Sequence, residues 1–340
     1  MNDLRIAVIG AGAMGADHVE RLSRRTKGAQ VSVVYDADQA RAEAVAGPVG
    51  ARVAPDALAA VQADDVDAVL IVSPGRFHPE QALACFDVGK PVLCEKPLGG
   101  SAAEAYQVVQ AEARLPHPLL TLGFMRRYDP EYVALLASLR AGELGEPILV
   151  NCKHRNPSAQ GNLADRAVIF DSAVHEVDVA RFLLGEEVTG VRVILPRPGA
   201  NAPAGVHDPM LILLTMQSGR LVTDELYVAT GSGYEVRTEV LGSRGIATIG
   251  LQVGQVVTHQ PGAVWGGRID ADFRPRFAAA YDTEVQRWVD AVREQRGVDE
   301  LAATGWDGYA AAAVCEAAVA ALETDGAEVS VELADRPGAA

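Results

Sequence analysis

The stretch RIAVIGAGAMGADH, Arg5–His18, constrains this chain more than any other part of it. A short apolar run ends at Gly10, Gly12 and Gly15 follow, and a helical pattern starts at once. Glycines at this spacing allow a tight turn and let the backbone approach a pyrophosphate. The helix that follows offers its unpaired N–H groups to the anion. Such a turn belongs to a βαβ unit, and the pattern continues. Apolar runs at Arg5–Ile9, Gln30–Tyr35, Ala68–Val72, Pro91–Cys94 and Leu119–Gly123 alternate with helical stretches at Met14–Arg24, Asp38–Ala46, Asp56–Ala63, Pro79–Asp87 and Ser101–Ala113. That alternation predicts an α/β chain opening on a doubly wound parallel sheet.

The second run ends at Asp36, where a carboxylate accepts hydrogen bonds from both ribose hydroxyls and repels a 2′-phosphate. Ala37 and Asp38 follow, with no arginine immediately beside Asp36, so the cofactor is read as NAD and not NADP. The backbone at Gly10, Gly12, Ala13, Met14 and Gly15 forms the expected cradle.

After Gly123 the pattern changes. A helix at Pro130–Ala141 leads to a strand at Ile148–His154, and strands then crowd together at Val188–Leu195, Met210–Met216, Leu221–Tyr227, Tyr234–Leu241 and Ile246–Ile249. QSGR, Gln217–Arg220, is a hairpin turn signal. These runs predict a second α/β domain with a large open, mostly antiparallel sheet. The division is set at 1–124 and 125–335, with late helices at Phe277–Glu294 and Gly308–Glu323 able to pack back on the first domain. The stretch Pro196–Pro209 is expected to be a loop.

DSAVHEVDVARFLLG, Asp171–Gly185, places Asp171, His175 and Asp178 at helical spacing on one face. Ala173, Val177, Ala180 and Leu184 lie on another. The 340 residues carry a net charge of -15, which argues against nucleic acid or an anionic membrane as partner. No apolar run reaches the ~20 residues of a membrane span, and no basic leader precedes the first strand. The four scattered cysteines lack metal spacing and read as reduced thiols of a cytoplasmic protein. His154, Asp171, His175 and Asp178 have ligand chemistry, but no paired-histidine or thiol motif supports a metal, and none is expected.

Further motifs make the pattern specific: SPGRFHPEQAL (Ser73–Leu83), CEKPLGG (Cys94–Gly100), GFMRRYDPEY (Gly123–Tyr132), KHRNP (Lys153–Pro157), AAYDTEVQ (Ala279–Gln286) and WDGYAA (Trp306–Ala311). With the glycine fingerprint, these resemble the glucose-fructose oxidoreductase / inositol dehydrogenase / MocA family, and within it the inositol 2-dehydrogenases. The resemblance runs from about Leu4 to Glu332. The chain departs from the family at Ser73-Pro74-Gly75, where many members have Thr-Pro-Asn, and at Gly99, where many have alanine.

The resemblance implies an N-terminal Rossmann domain, a C-terminal α/β domain and a homotetramer built through the large sheet. It implies catalytic roles for Lys96, Asp171 and His175, and substrate contacts from Arg127, His154, Asp178, Tyr234 and Tyr281. Ser73, His78, Glu95 and Lys96 join the cofactor set. The implied reaction is NAD-dependent oxidation of a cyclitol alcohol, with myo-inositol giving 2-keto-myo-inositol (scyllo-inosose). A dehydrogenase for another inositol, an aminocyclitol or a pyranose is the nearest alternative, and a non-catalytic NAD-binding regulator the remote one. A histidine, titrating ordinarily near pH about 6.5, suits the alcohol proton. A lysine suits the charge developing on oxygen.

Overall fold

The structure, a computed structural model, describes residues 2–159, 164–251 and 270–338. The chain forms two compact units. The first comprises Met1–Asp129, Ala279–Ala313 and Leu333–Ala340; the second comprises Pro130–Ala278 and Val314–Glu332. A single cut at 124/125 therefore differs from this division. Three separate stretches of chain make the first unit, which linear patterning does not reveal.

The first unit holds strands β1 (Leu4–Ile9), β2 (Ala29–Tyr35), β3 (Arg52–Val53), β4 (Ala68–Ile71), β5 (Val92–Glu95) and β6 (Leu120–Gly123), joined through helices α1 (Ala13–Arg24), α2 (Gln39–Ala46), α3 (Ala57–Gln62), α4 (His78–Asp87) and α5 (Ala102–Glu112). The strand order is β3-β2-β1-β4-β5-β6, every pair parallel. The order reverses between β1 and β4, and such switch points are where open α/β sheets bind ligands. Strands β4, β5 and β6 are buried throughout, as a sheet covered on both faces requires. Ile6, Val8, Val34, Leu70 and Leu93 pack with Val19 and Leu22 of α1. Asp38, Asp56 and Ser101 cap α2, α3 and α5 by accepting hydrogen bonds from main-chain N–H groups in the first turn. The two-residue β3 was not anticipated; Arg52-Val53 is too short to carry a period.

Glu112, at the end of α5, accepts hydrogen bonds from the Leu119 and Leu120 N–H groups at 3.1 and 2.8 Å and so ties α5 to β6. Burial penalises its charge and holds its carboxyl above the usual carboxylate range, the two N–H groups only partly opposing this. A carboxyl whose folded value is raised destabilises the fold above that value, and the cost disappears as pH falls below the unfolded value. Glu112→Gln, which keeps an acceptor without the charge, should therefore raise Tm at pH 8 and lose that gain towards pH 4. Calorimetry at both pH values checks this; a gain independent of pH would refute it.

The second unit begins with α6 (Pro130–Arg140) and β7 (Pro147–Arg155). Next come α7 (Asp165–Val168), a π-helical turn (Ile169–Ala173) and α8 (Val174–Leu184), and then β8 (Val188–Ile194), β9 (Met210–Met216), β10 (Leu221–Tyr227), β11 (Glu235–Gly242) and β12 (Ile246–Ile249). Helices α9 (Phe273–Arg293, kinked at Phe277) and α10 (Gly305–Ala321) and the short β13 (Val329–Ser330) complete the chain. The seven-stranded sheet runs β12-β11-β7-β10-β9-β8-β13. It is mixed: β7 and β10 pair in parallel and every other pair is antiparallel. The Gln217–Arg220 turn closes the β9–β10 hairpin, with Gly219 at φ +85°. Val150, Cys152 and His154 of β7 face the buried side, and the residues between them the other. Among the described residues no helix is long and apolar enough to cross a membrane.

Candidate active site

In the first unit the glycine turn carries the geometry that a dinucleotide needs. Gly10 has φ +106°, and a Cβ there would lie 2.6 Å from the Val72 carbonyl. A Cβ on Gly15 would overlap the Gly10 carbonyl oxygen, so neither position admits a side chain. Gly12 has nothing within 4 Å of its missing Cβ, which leaves open approach to the start of α1. The N–H groups of Ala13, Met14 and Gly15 belong to that first turn. These residues fit a bound pyrophosphate.

Asp36 directly follows β2, beside the turn. Its carboxylate accepts from Ala11 N at 2.7 Å and Asp38 N at 2.8 Å. Arg41 comes within 3.5 Å of it from α2, while also pairing with Asp38 at 3.2 Å. A helical turn, not adjacency in sequence, brings this arginine back to Asp36.

Ser73 follows β4 and donates its hydroxyl hydrogen bond to Gln81 at 2.6 Å. His78 is 1 % exposed, with Nε2 2.6 Å from the Ser73 carbonyl and Nδ1 2.8 Å from the Pro97 carbonyl. A neutral imidazole has one N–H, so the ring donates to one of these carbonyls and only packs against the other. Burial pushes its imidazole below the ordinary histidine range, against the opposing pull of the two carbonyls and Glu95. Glu95, the last residue of β5, is also buried; Lys96 is half-buried and follows it directly. Arg127 pairs with Asp307 at 3.0 Å and donates to the Ala302 carbonyl at 3.3 Å. Asp307, in the WDGY motif, is thus an acidic partner of Arg127. Tyr281, buried, sets its ring against His18 at 5.8 Å and beneath the Arg21 guanidinium at 5.1 Å.

In the second unit, His154, His175 and Tyr234 come together. The His154 ring lies 6.3 Å from that of His175 and 5.8 Å from that of Tyr234, the latter edge-on. His154 reaches this cluster from the buried face of β7, and His175 from the first turn of α8. Tyr234 stands just before β11, where its N–H donates to the Asp270 carbonyl. His154 Nδ1 is 3.0 Å from Glu176 Oε2, both side chains almost wholly buried. A buried carboxylate there selects the Nδ1–H form and leaves Nε2 for another partner. Glu176 was not singled out from sequence, although it adjoins His175.

The two-faced helix expected over Asp171–Gly185 is not what forms. Asp171 lies in the π-helical turn, exposed, while His175, Glu176, Asp178 and Arg181 are all buried on α8. The wider turn inserts one residue per turn relative to an α-helix and so breaks the simple i, i+4 relation between Asp171 and His175. Such turns occur frequently at functional sites. Gly185 ends the helix at φ +69°, as its left-handed cap.

The family model for the oxidoreductase family with an NAD-binding Rossmann fold matches residues 4–123, and that for the GFO/IDH/MocA C-terminal domain matches residues 132–248. Inositol 2-dehydrogenase 2 of Mycolicibacterium vanbaalenii is 50% identical over 338 residues, 99% of this chain and 98% of its own. The crystal structure of myo-inositol dehydrogenase from Lactobacillus casei in complex with NAD(H) and myo-inositol matches with a TM-score of 0.92 at 34% identity, over 99% of each chain. That of apo scyllo-inositol dehydrogenase from the same organism matches with a TM-score of 0.87 at 25% identity, over 97% of this chain and 98% of its own. The chain belongs to the GFO/IDH/MocA family, an oxidoreductase family with an NAD-binding Rossmann fold.

Proposed function

We propose that this protein oxidises a secondary alcohol of a cyclitol with NAD, converting myo-inositol to 2-keto-myo-inositol. The observation that carries this reading is the likeness, over 99% of both chains, to a myo-inositol dehydrogenase solved with NAD(H) and myo-inositol.

Bound NAD supplies the hydride acceptor. The N–H groups at Gly12–Gly15 hold its pyrophosphate and Asp36 its ribose hydroxyls. Ser73, His78 and Glu95 shape the loops around it. Lys96 donates to the reacting oxygen and favours its negative charge. His175 takes the alcohol proton, and Asp171 orients the substrate or the imidazole. His154, Asp178, Tyr234, Arg127 and Tyr281 supply polyol partners; each buried hydroxyl left unpaired would cost roughly 1–3 kcal/mol. The test is NADH absorbance over a panel of inositols and hexoses, with myo-inositol expected to turn over fastest. A scyllo-inositol preference would move the reading to the second inositol dehydrogenase. NADH binding with no turnover on any of them would replace enzyme with regulator.

Asp36 should make the enzyme strongly prefer NAD. Asp36→Ser removes the repulsive carboxylate and leaves Arg41 to receive a 2′-phosphate, so the ratio of kcat/KM for NAD over NADP should narrow. Wild-type protein that uses both equally would refute the assignment.

We further propose a cytoplasmic homotetramer built through the large sheet. Its less buried face carries a row, Ile246, Leu241, Leu149 and Leu221, set side by side by the strand register. Ile194 opposite Leu211 adds to it. Ile246 is 64% exposed, unusual for an aliphatic residue that meets only water. The cysteines are all buried and free, which suits a reducing compartment. Light scattering after size exclusion measures the assembly.

A further inference from the structure

Two buried histidines, His18 and His78, converge on the segment that carries Lys96. His18, on the helix that opens at the cofactor glycines, is wholly buried, and its Nε2 lies 3.0 Å from Glu95 Oε1. The other carboxylate oxygen, Oε2, accepts from the Lys96 N–H at 3.3 Å. His18 Nδ1 has no hydrogen-bond partner among the described residues. The tautomer that donates from Nε2 leaves Nδ1 as a bare lone pair, less costly when buried than a bare N–H. Gly123 lies opposite Glu95 in the β5–β6 register, and a Cβ there would stand 3.2 Å from the carboxylate. The carboxylate thus has a fitted slot with His18 as donor. On the far side of Lys96, the His78 ring lies between the Pro97 and Ser73 carbonyls.

We propose that His18 is a positioning residue for Lys96: through Glu95 it ties the lysine's backbone to the helix that cradles the cofactor, with His78 packed against the next residue. The lysine is thereby set relative to the cofactor by contacts within one unit. The inference rests on the reading of Lys96 as the group that assists hydride transfer. Small misplacements of such groups are expensive, about 10²-fold per ångström.

The experiment is stopped-flow single turnover of myo-inositol with NAD, beside NADH fluorescence titration, for wild type, Lys96→Met, His18→Leu and His18→Gln. The rate constant reports placement, and the amplitude reports the fraction of active sites. His18→Leu should lower the rate constant about 10–100-fold, with amplitude and NADH affinity within threefold of wild type. His18→Gln, whose amide reaches Glu95 and donates to it, should recover most of the rate. If His18→Leu does not fold, His18→Asn, too short to reach Glu95, takes its place with the same expectation. Wild-type rate constants in the folded variant overturn the proposal, as does a loss of amplitude and NADH affinity with the rate constant kept. Failure of wild type to turn over, or full activity in Lys96→Met, strikes the functional reading instead. With wild type active and Lys96→Met inert, the His18 results bear on the positioning alone.

Discussion

Replacing Lys96 with methionine is expected to leave a folded protein that binds NADH as wild type does and barely turns over. The side chain keeps much of its length and apolar bulk and loses its charge and its donors. On the proposed mechanism those donors meet an oxygen that becomes more negative as hydride leaves, so the interaction strengthens in the transition state. Losing one such donor costs about 10²–10³ in rate. Because the gain is specific to the transition state, kcat and kcat/KM should fall together, with little change in cofactor affinity. Lys96→Arg should recover only part of the loss, because a planar fork is not a compact ammonium. NADH titration beside steady-state turnover on myo-inositol decides the matter. Wild-type turnover in Lys96→Met would remove the lysine from the chemistry.

The first unit was legible in sequence because its signals are local. The strand-glycine-helix junction at Ile9–Ala13 is read from consecutive residues, and five of the six strands differ from the expected runs only at their ends, the two-residue β3 being too short to read. The hairpin at Gln217–Arg220 is of the same kind. What escaped reading was set by distance or by backbone. Glu95 meets His18 across 77 residues and Arg127 meets Asp307 across 180, and no spacing rule links such pairs. The parallel pairing of β7 with β10 arises from topology, since each strand alone carries the same alternation in either direction. The π-helical turn at Ile169–Ala173 has no residue signature: IFDSA contains neither glycine nor proline. Its consequence for Asp171 therefore had to come from the fold. Arg41 lay hidden for a third reason, a helical turn that returns it to Asp36. The residue types at the candidate site were legible; their partners were not.

His175→Ala is the second large effect expected. The imidazole sits in the first turn of α8, buried, beside the His154 ring, which Glu176 holds at Nδ1. Removing the ring should cost a base without opening the Rossmann unit. General acid–base groups contribute about 10²–10⁴, so kcat should drop by that factor with NADH affinity little changed. The pH profile separates a base from a packing group. In wild type, protonation of the base removes its acceptor, so kcat/KM should decline on the acid side. In His175→Ala the residual activity should lose that acid limb and vary little with pH over the same range. His154→Ala offers the contrast: the proposed substrate contact should raise KM more than it lowers kcat and should retain the acid limb. If His175→Ala keeps a near-normal kcat, or if its acid limb persists unchanged, the proton goes elsewhere, and Asp171, exposed in its π-helical turn, becomes the group to replace next.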